Sequence, residues 1–346
     1  MVRPPRGRSL KVGVLGASGY AGAELLRLLV SHPAFDVEVA TGESQAGAAV
    51  ADVYPSLAAA YPALRFSTAK ADALDGLDLV FSALPHGASQ DLVPGLRPRV
   101  GVIIDLAADF RLKDPSLYPV WYGEKHRCPR LLAEAVHGIP ELYRQDLAGA
   151  TLIAAAGCYV TAAVLALAPL VRGGTILPDG IVVDAASGVS GAGRGVKAST
   201  QFNTVDEDFT AYGLINHRHT PEIEQVLDAE VLFTPHLAPM NRGILATCYG
   251  RAPGGDPTVE PLEVLASAYA DEPFVVVSER LPSTKATLGS NTVHITARSD
   301  PRTGWVVSIA ALDNLTKGAS GQAIQCANLA LGLAETAGLP TVGLYP

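Results

Sequence analysis

Residues 11–29 read KVGVLGASGYAGAELLRLL, and this stretch decides the fold of the first part of the chain. An apolar run at its start is typical of a buried strand, and residues 20–29 place apolar side chains at helical spacing. Between them, Gly16, Gly19 and Gly22 form a GxxGxxG loop, in which missing Cβ atoms allow a tight turn close to a phosphate. Backbone amides at the start of a helix attract anions. The stretch therefore predicts a dinucleotide site; a tight turn that binds no ligand is the alternative.

The alternation of strands and helices continues through the first half of the chain. Apolar runs such as FDVEVAT, LDLVFSAL and VGVIIDLA alternate with helical segments, which indicates a parallel sheet covered on both faces. From about residue 150 the pattern changes, and the runs TVHITARS and WVVSIAAL around DPRTG predict a hairpin. We therefore predict an α/β chain with a Rossmann-type parallel sheet in residues 1–157 and an α+β domain with a mainly antiparallel sheet in residues 158–317. Residues 111–149 are expected to be an irregular crossover with local structure, and a last helix is expected from about Ala319 to Ala337.

Composition limits the classes of function. The chain has 346 residues, more than one hydrophobic core usually holds, and its net charge of −8 argues against general binding to nucleic acid or anionic lipid. The four cysteines have neither disulfide nor metal-ligand spacing, so we expect a reducing, cytoplasmic compartment and no metal. Residues 150–171 carry no charge, but Gly157, Cys158 and Pro169 interrupt them. A buried strand, a turn and a helix are therefore predicted there, not a membrane span.

Cys158 is the candidate nucleophile. It lies in AAAGCYVTAA, where a buried strand ends and a helix begins, and the positive end of a helix dipole favours a thiolate. The alternative is a small side chain that only fills space, which suits Cys248 and Cys326 because they lie within a predicted strand and helix. Its position after Gly157, at the start of a helix, favours the nucleophile.

A thiol nucleophile needs a group that carries protons, and the sequence NHRHTPE supplies candidates. If the segment before Thr220 is extended, His217 and His219 point to the same side, and Glu222 can orient one of them. Thr220 is the expected N-cap of the following helix, with Pro221 in its first turn. A metal pair and solvated loop histidines are the alternatives, and no third metal ligand stands at a suitable spacing.

Candidate anion-binding residues follow several strands. The loop SGVSGAGRG, residues 187–195, can present backbone amides, and Arg194 and Lys197 can bind a phosphate or carboxylate. The ends of other strands supply further candidates, because ligands bind there in open α/β sheets. They are Pro85, His86, Arg111 and Arg242.

The end of the second predicted strand, Thr41-Gly42-Glu43-Ser44, governs cofactor choice. An acid at this place usually binds the ribose hydroxyls of NAD. If Glu43 points away, Thr41 and Ser44 can hold the 2′-phosphate of NADP. The residues alone favour NAD.

Several segments, taken in order, resemble one family. They are GASGYAGAELLRLL, ALPHG, DLAADFRL, HGIPELYR, AAGCYVTA, SGVSGAGR, INHRHTPEIEQ, PHLAPMNRGI and LDNLTKGASGQAIQ. Together they resemble the N-acetyl-gamma-glutamyl-phosphate reductases of arginine biosynthesis, in the semialdehyde dehydrogenase superfamily. They run from residue 11 to about residue 330, so the resemblance covers nearly the whole chain.

The resemblance implies a cytoplasmic, NADPH-dependent enzyme that reduces an acyl phosphate to an aldehyde through a thioester on Cys158. It also implies a homotetramer built as a dimer of dimers, and a C-terminal segment, 318–346, that returns to the first domain. The acid/base histidine is expected in HRHTPE, first His217 and then His219, with Glu222 beside them. The implied cofactor residues are Gly16, Ser18, Gly19, Tyr20, Gly22, Thr41, Ser44, Pro85, His86, Gly188 and Asn314. The implied substrate residues are Arg111, Ser187, Arg194, Lys197 and Arg242.

One departure and three alternatives remain. The family often has Ser-Arg where this chain has Glu43-Ser44, so strict preference for NADP does not follow. A sister enzyme, such as an aspartate-semialdehyde dehydrogenase or a carrier-protein-linked homologue, would perform the same chemistry on another acyl phosphate. A dinucleotide-binding sensor would carry an unreactive Cys158. An oxidoreductase with direct hydride transfer would tolerate Cys158→Ala.

Overall fold

The structure is a computed structural model that describes residues 9–69, 71–255 and 259–346. Contacts within the chain divide it into two compact units. The first unit runs to Ser116 and adds Lys125–Ala156 and Ala319–Leu339, and the second consists of Leu117–Glu124, Gly157–Gly318 and Pro340–Pro346. The C-terminal residues thus differ from the expected division. Leu344 N–H donates to Leu288 O (2.8 Å) and Asn291 N–H donates to Pro340 O (2.8 Å), which ties the end of the chain to the second unit.

The strands and helices have the following bounds. The strands are β1 (Leu10–Leu15), β2 (Phe35–Ala40), β3 (Leu79–Ser82), β4 (Val102–Asp105), β5 (Val136–Gly138), β6 (Leu152–Ala155), β7 (Ile181–Gly188), β8 (Thr210–Ala211), β9 (Val231–Ala238), β10 (Ile244–Arg251), β11 (Val275–Val277), β12 (Val293–Asp300) and β13 (Trp305–Leu312). The helices are α1 (Tyr20–Leu29), α2 (Val50–Val53), α3 (Ala88–Leu96), α4 (Leu117–Trp121), α5 (Pro129–Glu134), α6 (Pro140–Leu147), α7 (Cys158–Arg172), α8 (Phe202–Val205), α9 (Thr220–Leu227), α10 (Pro261–Ala268), α11 (Thr284–Thr287) and α12 (Gly321–Ala330).

The first unit contains the predicted parallel sheet, with six strands in the order β2–β1–β3–β4–β6–β5. Every residue of β3, β4 and β6 is buried, as expected of strands covered on both faces. Helix α12 packs on β4, β6 and α6 within this unit.

The second unit contains a mixed, mostly antiparallel sheet, with seven strands in the order β11–β12–β13–β10–β7–β9–β8. The predicted hairpin is β12–β13, which pairs Val293 with Leu312 at one end and Asp300 with Trp305 at the other. Helix α7 is buried on most sides and packs on β10, β13 and α9. The fold class is therefore confirmed.

Two sequence predictions are wrong in detail, and one lacked detail. The local structure expected in the crossover at residues 111–149 consists of α4, α5, β5 and α6, whose three to eight residues are too few to show a period. The last helix ends at Ala330 instead of Ala337, since Gly332 adopts a left-handed φ of +66°. Thr220 is the first helical residue of α9 and not its N-cap. His219 takes the cap position with αR dihedrals, and no side chain caps this helix.

Residues 150–171 form β6, a turn and α7, as predicted. Among the described residues, no helix combines the length and the hydropathy that crossing a bilayer requires.

Candidate functional site

The backbone that carries Cys158 is fixed by a buried carboxylate. Cys158 is the first residue of α7, and Gly157 is its N-cap. Glu222, in the first turn of α9, is fully buried and accepts the Gly157 N–H at 3.0 Å. The Gly157 carbonyl accepts the Thr161 N–H at 2.9 Å. The half-buried thiol therefore stands at a helix start whose preceding residue is held on both sides.

The imidazole of His219 lies against Gly157. A Cβ built on Gly157 would stand 2.5 Å from Nε2 of His219 and 2.8 Å from Cδ2 and Cε1. Only the absence of a side chain at this position lets the ring approach the backbone next to Cys158. A thiol at a helix start beside an imidazole can perform nucleophilic acyl chemistry.

The segment around the two histidines is a turn, so the extended conformation considered from the sequence is not the one adopted. Thr220 N–H donates to the carbonyl of His217 at 3.0 Å, and His219 N–H donates to Nδ1 of His217 at 3.1 Å. The two rings therefore lie close together, with centroids 4.8 Å apart at an angle of 75°. This arrangement places His217 directly beside His219.

His217 sits in an aromatic surrounding that the sequence did not reveal. Its ring makes edge contacts with Tyr159, Tyr212 and Phe233, with centroids 5.7, 5.5 and 5.2 Å away. Desolvation and the charge of Arg218 lower the pKa of His217 to about 4, against an opposing effect of Glu222. His217 is therefore neutral at physiological pH, with Nδ1 accepting a backbone proton.

The two tyrosines that contact the His217 ring have hydroxyls joined in a hydrogen-bonded chain. Tyr212 donates to Tyr159 Oη at 3.1 Å, and Tyr159 donates to the carbonyl of His236 at 2.9 Å. Burial raises the pKa of Tyr212 to about 12 and that of Tyr159 still further, so both stay protonated. The one sequence signal for this cluster is that Tyr159 directly follows Cys158.

The candidate anion-binding residues at the end of β7 and in the loop after it differ in exposure to solvent. Ser187 is buried, and its hydroxyl donates to the carbonyl of Gly188 at 3.1 Å. A Cβ on Gly188 would stand 2.7 Å from the Arg242 backbone nitrogen, so this strand end packs tightly on the β9–β10 connection. Arg194 and Lys197 are exposed.

Arg242 and Asn314 are engaged inside the second unit. The Arg242 guanidinium donates to Asp313 Oδ1, at 3.2 Å from Nε and 3.0 Å from Nη2. The Asn314 amide accepts the Gly243 N–H at 2.7 Å and donates to Ser190 Oγ at 3.0 Å. Sequence reasoning assigned these two side chains to substrate and cofactor, and it missed Asp313.

In the first unit, the glycine loop forms a tight cradle at the end of β1. Gly16 has φ +71°, and a Cβ there would stand 2.3 Å from the carbonyl oxygen of Ala83. A Cβ on Gly22 would stand 2.5 Å from Gly16 O, so α1 starts directly against the loop. The Ser18 carbonyl accepts the Tyr54 hydroxyl at 2.6 Å. Gly19 is the N-cap of α1, which begins at Tyr20, so the cap residue offers no side chain to the first amides.

The end of β2 shows where the candidate selectivity residues point. Thr41 is buried, and its Oγ1 accepts the Gly16 N–H at 3.1 Å. The carboxylate of Glu43 accepts the Ala69 N–H at 2.7 Å. Ser44 is exposed.

The residues Pro85–Gly87 precede α3, and Asp109 holds them in place. His86 Nδ1 lies 2.6 Å from Asp109 Oδ1, and Gly87 N–H donates to the same oxygen at 2.8 Å. Burial acts to raise the pKa of Asp109, but the bonds from His86 and Gly87 outweigh it and the pKa is lowered. Arg111 is buried and donates to the carbonyl of Leu106 at 2.7 Å.

The structure thus gathers Cys158, His217, His219 and Glu222 in the second unit, whereas the glycine loop, Thr41, Ser44, His86 and Arg111 belong to the first. Among the described residues, no group of three or more His, Cys, Asp and Glu side chains could hold a metal ion.

Two family models match the chain. The NAD binding domain of semialdehyde dehydrogenases matches residues 11–150, and the dimerisation domain of semialdehyde dehydrogenases matches residues 158–314. Among curated relatives, the N-acetyl-gamma-glutamyl-phosphate reductase of Symbiobacterium thermophilum is 48% identical, covering 98% of this chain and 100% of the relative. The enzymes of the same name from Desulforudis audaxviator and Magnetococcus marinus are 47% and 42% identical, covering 97% and 98% of this chain and 100% of each relative.

Solved structures of lower identity share the fold. Aspartate semialdehyde dehydrogenase II from Vibrio cholerae, complexed with ASA, has a TM-score of 0.71 at 15% identity, covering 94% of this chain and 99% of that chain. Aspartate semialdehyde dehydrogenase with NADP from Candida albicans has a TM-score of 0.69 at 16% identity, covering 92% of this chain and 98% of that chain. At such identities the likeness concerns the fold alone.

Proposed function

This chain belongs to the N-acetyl-gamma-glutamyl-phosphate reductases of the semialdehyde dehydrogenase family, and from that membership we propose the reaction that it catalyses. The chain reduces N-acetyl-gamma-glutamyl phosphate to N-acetylglutamate 5-semialdehyde and releases phosphate, as a step of arginine biosynthesis. The observation that carries the proposal is the arrangement around Cys158: a thiol at the start of α7, with the backbone of Gly157 held by Glu222 and the ring of His219 lying on it.

Cys158 is the nucleophile in this proposal. Its thiolate attacks the γ-carbonyl carbon of the acyl phosphate, and the tetrahedral oxyanion collapses as the C–O bond to phosphate breaks, leaving a thioester. Phosphate is a good leaving group, so the protein chiefly has to position the carbonyl and stabilise the oxyanion. The rigid hold on Gly157 serves the positioning.

His219 carries the proton, and His217 orients it. The ring of His219 is the one that touches Gly157. His217 is neutral, and its Nδ1 accepts the backbone N–H of His219. When hydride reaches the thioester carbon, His219 donates a proton to the oxygen of the thiohemiacetal. It takes that proton back as the C–S bond breaks and the aldehyde leaves. The family resemblance put His217 first for this role; the geometry favours His219.

A nicotinamide cofactor supplies the hydride, and the glycine loop of the first unit fits its pyrophosphate. Gly16 and Gly22 lie so close to backbone atoms that a side chain at either would fill the cradle. We propose NADPH as the donor, because the Glu43 carboxylate is bound to the Ala69 N–H while Ser44 is exposed. Ser18, Gly19 and the first amides of α1 complete this proposed site, and the assignments of Pro85, His86, Gly188 and Asn314 to the cofactor stay predictions.

Arg194 and Lys197 are the proposed ligands for the substrate's carboxylate and phosphate. Both are exposed cations on the loop that follows β7. The assignments of Arg111 and Ser187 stay predictions, and the bonds of Arg242 to Asp313 favour a role other than binding substrate.

The reverse reaction tests the proposal. We expect N-acetylglutamate semialdehyde, phosphate and NADP⁺ to give NADPH absorbance with the wild type and none with Cys158→Ser. Cys128→Ser is the matched control, since Cys128 is also half-buried but lies at the N-cap position of α5 in the first unit. Turnover of aspartate semialdehyde instead would replace the substrate assignment, and phosphate-independent turnover would contradict the thioester route.

We propose that the assembly is a homotetramer and that the open face of the seven-stranded sheet forms one of its interfaces. The matching family model is named a dimerisation domain. The sheet presents half-exposed apolar side chains on alternate residues, among them Val182, Tyr249, Trp305 and Val307. Sedimentation analysis of wild type and Val307→Glu tests this, since a charge in that face should separate subunits.

The proposed compartment is the cytoplasm, where a reduced thiol and NADPH are both maintained.

A further inference from the structure

Gly318 packs directly against the proposed nucleophile. A Cβ built on Gly318 would stand 2.8 Å from Cβ of Cys158 and 3.3 Å from its Cα. Gly318 is buried and lies in a π-helical turn, Thr316–Ser320, just before α12. Single π-helical turns are rare and often occur at functional sites. The backbone of this turn therefore packs directly against Cα and Cβ of Cys158.

Asp313 fixes this turn. The carboxylate is fully buried and accepts the backbone N–H groups of Gly289, Leu315 and Thr316, at 2.6, 2.9 and 3.1 Å. The Asp313 carbonyl accepts the Gly318 N–H at 2.9 Å, which spans five residues as a π-helix requires. Both ends of the turn thus depend on one residue.

Arg242 completes the arrangement from the β9–β10 connection. Its guanidinium binds Asp313 Oδ1 through two nitrogens, and Nη2 also donates to Thr316 Oγ1 at 3.0 Å. A buried carboxylate needs a charged partner, and Arg242 is that partner for Asp313. Lys317 adds an anchor, since it is fully buried with Nζ 5.9 Å from the Phe274 ring centroid.

We propose that Arg242 and Asp313 are positioning residues for the nucleophile: they hold the π-helical turn so that Gly318 keeps Cys158 in its reactive place. The inference rests on the proposed function in that Cys158 reacts with substrate. It replaces the sequence-based role of Arg242 as a substrate ligand. The two roles differ in what they do to the free enzyme, because a substrate ligand does not affect Cys158 when substrate is absent.

The test measures alkylation of Cys158 by iodoacetamide in the full-length, substrate-free protein, with the modified peptide identified by mass spectrometry. We expect Arg242→Met, Asp313→Asn and Gly318→Ala each to slow alkylation about tenfold, because displacing the thiol from its helix start weakens its activation. The first two variants remove charges of opposite sign. A direct charge effect on the thiolate would therefore shift their rates in opposite directions, and that outcome would overturn the proposal.

Turnover supplies the second readout. For Arg242→Met, positioning predicts a kcat at least about tenfold lower with KM within about threefold of wild type. A raised KM with unchanged alkylation would overturn the proposal and restore the substrate ligand. Thr316→Val keeps both charges and removes one acceptor of Arg242, so it tests the turn if Asp313→Asn fails to fold; we expect alkylation to slow by a smaller factor than in Asp313→Asn.

The control variant is Gly95→Ala, because a Cβ there meets no atom within 4 Å and the residue lies in α3. It should alkylate and turn over as wild type does. Unchanged alkylation in folded Gly318→Ala and Thr316→Val would sink the inference while leaving the proposed function intact. A wild type that alkylates as expected but turns over no acyl phosphate would sink the proposed function alone.

Discussion

Gly157→Ala is the sharpest perturbation of the site, because it adds one carbon where the His219 ring lies. Gly157 has φ −66° and ψ 150°, which alanine adopts without strain, so the change tests space alone. The new Cβ would stand 2.5 Å from Nε2, and ordinary contact begins at 3.4 Å, so the ring must retreat by about 0.9 Å (3.4 − 2.5).

A displacement of this size has a calculable effect on rate. Misplacing a reacting group by ~1 Å costs about 10²-fold, which corresponds to about 2.7 kcal/mol of activation free energy. The added methyl group also lowers the free energy of unfolding, by about 1–3 kcal/mol if the surroundings do not relax. We therefore expect a folded enzyme with kcat reduced about a hundredfold.

The assay is the phosphate-dependent reverse reaction at saturating substrate, with a thermal melt on the same sample. Gly95→Ala again serves as the control. A Gly157→Ala enzyme that melts near the wild-type temperature and keeps kcat within about threefold would refute the assignment of His219. The added Cβ must displace the ring, so an unchanged kcat would mean that turnover does not depend on its position.

Three further predictions concern pH, cofactor choice and the buried carboxylate. The pKa of His217 is about 4 in the folded protein and near 6.5 when unfolded. The unfolded state therefore binds more protons, and stability should fall as pH drops from about 6.5 to about 4, by at most about 3 kcal/mol before solvent screening. In His217→Gln, the unfolding free energy from urea titrations should depend less on pH between about 6.5 and about 4. An unchanged dependence would contradict its attribution to His217. Glu43→Gln should change the ratio of kcat/KM for NADPH to that for NADH by less than about threefold, because the carboxylate binds the Ala69 N–H; a large gain for NADPH would show that it faces the ribose. Glu222→Ala removes the acceptor of the Gly157 N–H and should cost about 1–3 kcal/mol in unfolding free energy together with a lower kcat; Glu222→Gln keeps an acceptor oxygen and should recover part of both.

The fold was predictable where local chemistry decides it. The glycine loop at Gly16 needs a left-handed φ, and the β12–β13 hairpin follows from alternation around a Pro/Gly turn. Both signals lie within about twenty residues of sequence. The end of α12 was missed, although Gly332 marks it, because apolar residues continue beyond the glycine.

The contacts of the candidate site were less predictable, because they join distant parts of the chain. Cys158 was singled out from its position after a glycine, and Glu222 from its nearness to the histidines. The Glu222–Gly157 bond spans 65 residues and the Arg242–Asp313 pair spans 71. No local pattern tells an arginine that binds substrate from one that neutralises a buried carboxylate. The turn at His217 likewise could not be foreseen locally, and our proposal of His219 instead of His217 as the acid/base rests on it.

The first unit is built from separate segments of the chain, and this affects how it folds during synthesis on the ribosome. Its sheet is complete once residue 156 has been made, but α12, which packs on β4, β6 and α6, ends only at Ala330. The interval is 174 residues (330 − 156), or roughly 9–35 s at ~5–20 residues per second. During that time the surface under α12 is exposed, so nascent chains arrested before α12 should recruit chaperones and be cleaved readily by protease. A separately expressed N-terminal half would carry the same defect permanently, and supplying α12 as a peptide should repair it.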